Sequence, residues 1–240
     1  MHLVWEELRV AVPMIIHGNP YLLSIIWFTV QVAAIATATA TVIGVPLGLT
    51  LGLGRFRGRR ALQVLANAGM ALPPVFVGLV LFLLFVPQGA LGGLHLQLTR
   101  RGVFISQAVL ALPYVIALTA AAVQGLPQGL LDQARILGAR RGQLYALALR
   151  EARIGVVASM IAALGVTLSE VGAVVVVGGN VYSYDQTLAS AALFEANAAH
   201  YADAVAIGLV LLVVIVVLMC GLGLLQEWGG GIRWRLRSAS

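Results

Sequence analysis

Charge is what this sequence has least of: charged residues make up 10% of its 240 positions and hydrophobic residues 60%. Helices that lack charged outer faces cannot be kept in water, so a soluble α/β domain is excluded and lipid becomes the solvent to reason with. The mean hydropathy of +0.97 agrees. Lysine is absent, all 15 basic residues being Arg. These Arg fall in short clusters between apolar runs, so the net charge of +6 reads as a topology signal and not as a nucleic-acid surface. With Cys220 as the single cysteine, neither an intrachain disulfide nor a cysteine metal cluster is possible, and its place in an apolar run makes it a packing residue. No Gly-x4-Gly-Lys-Ser/Thr run occurs, which rules out P-loop ATP binding. His2, His17, His95 and His200 lie outside the apolar runs without His-Glu-x-x-His spacing, so no metal site and no catalytic residue is expected. The opening Met1-His2-Leu3-Val4-Trp5-Glu6-Glu7 lacks the basic start of a cleaved signal, and the N-terminus is expected to be retained.

Five apolar stretches are long enough to cross roughly 30 Å of hydrocarbon: Leu22–Leu53, Leu62–Val86, Val103–Leu126, Ile154–Val177 and Ala204–Gln226. The expected architecture is an all-α membrane protein of about five transmembrane helices, residues 1–240 forming one transmembrane domain. The first stretch exceeds one span, which predicts tilting or bending near Pro46. Pro73-Pro74 and Pro113 predict local breaks or kinks. Counting Arg fixes the orientation, because positive charge is retained in the cytoplasm. Twelve (Arg55, Arg57, Arg59, Arg60, Arg135, Arg140, Arg141, Arg150, Arg153, Arg233, Arg235 and Arg237) face only three on the other side (Arg9, Arg100 and Arg101). The N-terminus is therefore expected outside and the C-terminus inside, with Asp185, Glu195 and Asp203 outside. Residues 1–20 could lie as a short helix in the outer interface.

The connection Pro127–Arg153 is far longer than a membrane hairpin needs. Periodic Leu and a glycine pair predict two short cytoplasmic helices with a turn at Gly138–Gly142. Its Asp132-Gln133-Ala134, three residues, then Gly138 resembles the Glu-Ala-Ala, three residues, Gly signature of permease subunits of bacterial ABC importers. The later Ile-x-Leu-Pro of that signature falls at Ala148-Leu149-Arg150-Glu151, without proline. The resemblance implies a type I importer fold, with a coupling loop in which a short helix beginning near Ala139 docks on an ATPase subunit. Asp132, Ala134, Arg135, Gly138, Ala139, Arg140, Arg141 and Gly142 are the coupling candidates: small residues permit close approach, and Arg135, Arg140 and Arg141 could pair with acidic groups. An ordinary positive-inside loop would explain the Arg but not the glycine spacing or the length.

A second run, Glu170-Val171-Gly172-Ala173 through Gly178-Gly179-Asn180, resembles tungstate-type oxyanion permeases; molybdate-type permeases are similar but usually carry an aromatic after the Glu. Gly178, Gly179 and Asn180 end a helix where positive φ is needed, and their N–H groups could form an anion-attracting concavity or simply a helix stop. Glu170 is the acidic residue well inside a span, a functional or interhelical site by default. An ionised carboxylate would repel an oxyanion, so Glu170 is read as protonated or held by donors such as Thr167. Gln31, Thr37, Thr41 and Asn67 are neutral donors that could pass a dianion or join helices. Ala36, Ala40, Gly44, Gly48 and Gly52 lay small side chains down one face of the first span, for close contact with a helix of this chain or of a second copy.

The resemblances imply a permease importing tungstate by alternating access, with molybdate as the alternative substrate. They imply a homodimer in a bacterial or archaeal inner membrane, cytoplasmic ATPase subunits that hold ATP and Mg, an extracytoplasmic oxyanion-binding protein, no cofactor on this chain and no nucleic acid. A rival of another class is a proton-coupled secondary transporter using Glu170; it would be expected to show inverted repeats and paired intramembrane charges.

Overall fold

A computed structural model describes residues 20–230, without the side chains at 128 and 225–230. The expectations of a retained N-terminus and of an interfacial helix at 1–20 fall, except for Pro20, outside the described residues, as do Arg9 and the Arg at 233, 235 and 237. Among the described residues ten α-helices follow one another: α1 (Pro20–Leu53), α2 (Arg59–Gly69), α3 (Pro74–Phe85), α4 (Arg100–Gln124), α5 (Gln128–Ile136), α6 (Arg141–Glu151), α7 (Arg153–Ser169), α8 (Gly172–Gly178), α9 (Leu188–Asn197) and α10 (Tyr201–Gly230), with a 3-10 turn at Gly92–Leu94. No strand occurs among the described residues. Three helices, α1, α4 and α10, are long and apolar enough to cross a membrane. The count rises to five if the bent pairs α2–α3 (103°) and α6–α7 (68°) each make one span. Only 17% of the most apolar window of α10 is buried within the chain, so most of that helix presents aliphatic side chains outward.

Paired prolines interrupt a helix here, whereas two single prolines do not. Pro73-Pro74 ends α2 because a residue preceding proline avoids the helical region, and Pro74 restarts the chain as the first residue of α3, where its missing N–H costs nothing. Pro46 and Pro113 sit inside α1 and α4, which continue through them as helix. Beyond Pro46 the Thr50 hydroxyl donates to the Pro46 carbonyl at 2.8 Å. The second interruption falls at Glu170-Val171, between α7 and α8.

The chain forms two compact units. The first comprises the chain up to Ala36, Leu72–Leu110 and Gly165–Leu218. Its core joins Leu22 and Ile25 of α1 to Leu188 and Ala191 of α9 and to Ile207 and Val210 of α10. Beside it Phe28 and Val32 pack on Val103 and Val174. α3 packs along α8, where a Cβ on Gly78 would come within 2.7 Å of the Ala173 backbone, so only glycine permits this approach. The second unit comprises Thr37–Ala71, Ala111–Leu164 and the chain from Met219. Its core gathers Ala40, Val45 and Leu49 of α1 with Ala111, Val115 and Val123 of α4, Ala148 of α6, Ala152, and Val156 and Ala163 of α7. The small-residue stripe is consumed here, inside the chain. A Cβ on Gly44 would lie 2.8 Å from Val115, on Gly48 2.7 Å from Thr119, and on Gly52 2.6 Å from Val123, so α1 and α4 touch along three successive turns.

Candidate functional site

The predicted helical pair is present as α5 and α6, and the stop between them is built by backbone chemistry. Gly138 adopts φ +82. Its N–H donates to the Arg135 carbonyl at 3.0 Å and that of Ala139 to the Ala134 carbonyl at 3.0 Å, the paired bonds of a helix that ends in a left-handed residue. The second helix begins at Arg141, two residues later than the sequence indicated. The Arg140 N–H is taken by the Gln143 side chain at 2.7 Å, which starts α6. Arg135 is held within the chain by Asp132 at 2.6 Å, an exposed pair worth little in energy that orders the outer face of α5. A Cβ would meet nothing within 4 Å at Gly138 or Gly142, so the turn stands open.

Two residues outside the sequence-based coupling set define this turn. Ile136 and Leu137 are 85% and 87% exposed, the most exposed large apolar residues among those described. The detectable signal was an apolar pair placed directly before a helix-ending glycine. An apolar tip of this kind, bounded by Arg135, Arg140 and Arg141, has the composition of a docking surface.

The other candidates divide between the units. Gln31, Glu170 and Gly178–Asn180 fall in the first; Thr37, Thr41 and Asn67 fall in the second. The Glu170 carboxylate accepts the Ala173 N–H at 3.1 Å, fastening the start of α8 across the interruption. Gly179 (φ +94) and Asn180 (φ +54) turn the chain out of α8. Buried Oγ1 atoms of Thr37 and Thr41, one helical turn apart on α1, have no protein partner, whereas Asn67 is exposed. Gln107 was not singled out by sequence, yet it is fully buried on α4 with neither amide atom bonded.

Beyond α8 a loop is fixed by two residues the sequence treated only as topology markers. Asp185 is fully buried and accepts the Val181 N–H at 2.5 Å, while Arg100 donates to the Tyr184 carbonyl at 2.6 Å. The same guanidinium lies 5.0 Å over the rings of Phe28 and Tyr184. Burial raises the Asp185 carboxyl above the ordinary carboxylate range, partly offset by backbone N–H donors and by Arg100. Nearby, Glu195, His200 and Asp203 converge with their ligating atoms within 4.8 Å, His200 Nδ1 lying 2.9 Å from Glu195. Residues 84 apart, as Arg100 and Tyr184 are, carry no local signal of their meeting.

Among the described residues, interrupted apolar helices without strands, three to five of them long enough to span a bilayer, have the architecture of a multi-pass membrane protein. The chain belongs to the family of binding-protein-dependent transport system inner membrane components, which matches residues 44–228. It is 35% identical over 200 residues to a probable anion ABC transporter permease protein of Haloferax volcanii, covering 81% of this chain and 86% of that one. It is 30% identical over 227 residues to the tungstate uptake system permease protein TupB of Peptoclostridium acidaminophilum, covering 95% and 100%. A chain of the MetNI methionine ABC transporter, solved in inward-facing conformations, superposes with a TM-score of 0.65 at 20% identity over 88% of this chain and 96% of that one. The fold is that of an ABC importer permease.

Proposed function

We propose that this chain is the permease subunit of an ATP-driven importer for tetrahedral oxyanions, with tungstate as its substrate. The observation that carries the ATP-driven reading is the Ile136–Leu137 tip held open by Gly138. An apolar tip so exposed needs a protein partner, and a cytoplasmic ATPase subunit that supplies ATP and Mg is the partner that would turn closure of its own sites into movement of these helices. The full-length likeness to a tungstate permease supports the anion.

In this mechanism both units of residues 1–240 work as one transmembrane domain, and two copies of the chain enclose the pathway in the inner membrane, N-termini outside and C-termini inside. An extracytoplasmic binding protein delivers the oxyanion to the outward-open state, and ATP hydrolysis in the partner returns the helices inward. Brief polar contact comes from neutral donors, Gln31, Thr37, Thr41 and Asn67, because a buried cation would trap a dianion by several kcal/mol at an effective dielectric of about 20. The buried hydroxyls of Thr37 and Thr41 have no protein partner, and movement of the helices would have to expose them for such contact. Glu170, bonded to backbone, holds the interrupted helix together and does not bind cargo.

The test is reconstitution of the permease, ATPase and binding protein in proteoliposomes, following tungstate uptake with molybdate and sulfate as competitors. ATP-dependent uptake displaced only weakly by the other two is the expected result. Uptake driven by a pH gradient without the ATPase would make the chain a secondary transporter, and preferential displacement by molybdate would reassign the anion. After Cys220→Ser, Leu137→Cys should react with an impermeant thiol reagent from the inner face only and Tyr182→Cys from the outer face; the reverse would invert the topology.

A further inference from the structure

Where α1 ends, the chain reads Gly54-Arg55-Phe56-Arg57-Gly58-Arg59-Arg60. Residues 55–60 line an open hollow of about 460 Å³, within the roughly 300–1,000 Å³ range of small-ligand sites. Arg59 is committed to structure: its Nε and Nη2 donate to the carbonyls of Leu51 at 2.6 Å and Gly52 at 3.3 Å, tying the turn to the end of α1. Arg55, Arg57 and Arg60 are exposed, and among the described residues no carboxylate forms an ion pair with them. Nearby sequence offers none, since no Asp or Glu occurs between Glu7 and Asp132. Phe56, 42% exposed, stands among the three cations. Uncompensated positive charge is thus gathered around an aromatic ring at the point where a long apolar helix ends.

We propose that Arg55, Arg57 and Arg60 bind the phosphodiester headgroup of an anionic phospholipid in the leaflet at which α1 ends. Guanidinium forks match phosphate oxygens in geometry as well as charge. An exposed aromatic ring beside them suits the boundary between headgroups and acyl chains, and it would be a poor neighbour for a freely dissolved phosphate. Because Arg59 is anchored on helix carbonyls, the other three guanidinium groups are presented from a fixed turn. The inference does not depend on which side of the membrane this turn occupies or on the transported anion.

The test is native mass spectrometry and lipid titration of the detergent-purified permease with phosphatidylglycerol or phosphatidylcholine. The wild type should retain phosphatidylglycerol selectively, with retention falling as salt rises. R55Q/R57Q/R60Q should weaken that retention by on the order of a hundredfold, taking roughly fivefold per arginine near a charged surface. Since the triple variant could insert poorly, the salt series on wild-type protein stands as an independent measurement. Salt-independent retention, equal retention of phosphatidylcholine, or equal retention by a folded triple variant would each overturn the proposal. Displacement of the lipid by millimolar inorganic phosphate would assign the site to a free anion, and displacement by the ATPase subunit would assign it to a protein; either result defeats the lipid assignment.

Discussion

Replacing Gly138 tests the coupling surface most directly, because two costs that usually mix are separable there. A side chain at this position meets no atom of the chain within 4 Å, so substitution cannot clash internally. What remains is conformation: at φ +82 an ordinary L-residue pays about 1–2 kcal/mol, while Asn pays less. If the docked state requires the left-handed turn, that penalty weakens assembly with the ATPase roughly five- to thirtyfold for Gly138→Ala. Gly138→Asn should stay within about threefold if strain alone matters, and should fall with Ala if the partner's backbone approaches closely. Gly138→Trp adds bulk to strain and should lose most coupling while leaving membrane insertion of the permease unchanged. Affinity for the ATPase and uptake-linked ATP hydrolysis, measured side by side in proteoliposomes, decide it. A Trp variant equal to wild type in both would refute the docking role of this turn.

Gly48→Val should cost about 1–3 kcal/mol of stability, because its Cβ would lie 2.7 Å from Thr119 and 2.8 Å from the Ile116 carbonyl. Gly208→Ala, with open space around it, should cost nothing, and equal thermal midpoints for the two variants in detergent would contradict the packing described. Glu170→Gln retains an acceptor for the Ala173 N–H, so uptake is expected within a few fold of wild type; abolished uptake in an assembled complex would mean that the carboxylate itself takes part. For Asp185 the folded pKa is raised, so its stabilising contribution is complete below the unfolded value of about 3.9 and is lost as pH rises through the raised folded value. Wild type should therefore lose stability relative to Asp185→Asn between acid and neutral pH, and a pH-independent difference between the two would refute this reading.

Much of the helical plan was legible because apolar run length is a direct measure of what a bilayer can accommodate. The stretch expected at Leu22–Leu53 is the helix Pro20–Leu53, and the glycine punctuation of residues 127–153 marks a real turn at Gly138. Pro73-Pro74 breaks its helix as its composition predicts, whereas Pro46 and Pro113 are carried inside theirs. Two adjacent prolines remove successive N–H donors and disfavour helix in the residue before, while a single missing bond in a long helix is tolerated. The break at Glu170-Val171 has no proline and was read as uninterrupted span. Tertiary pairings were out of reach, as with Asp185, whose burial follows from a loop closing on itself, and Arg100, whose partners lie far along the chain. The small-residue stripe was visible, but its partner was not: periodicity marks a face, and only packing told that α4 covers it.

That stripe also shows how α1 distinguishes its faces. In water a helix separates inside from outside by polarity, but α1 is apolar all round, so polarity cannot orient it. Side-chain volume does so instead. Ala40, Gly44, Gly48 and Gly52 admit nothing larger than hydrogen or methyl, while Trp27, Val42, Ile43 and Leu47 of the same helix stand partly in the open. The consequence is a mutational tolerance that changes sharply from one position to the next along one helix: an added methyl at Gly44 or Gly48 meets a neighbouring helix, whereas exchanging Val42, 73% exposed, for another bulky apolar residue meets mostly the surroundings.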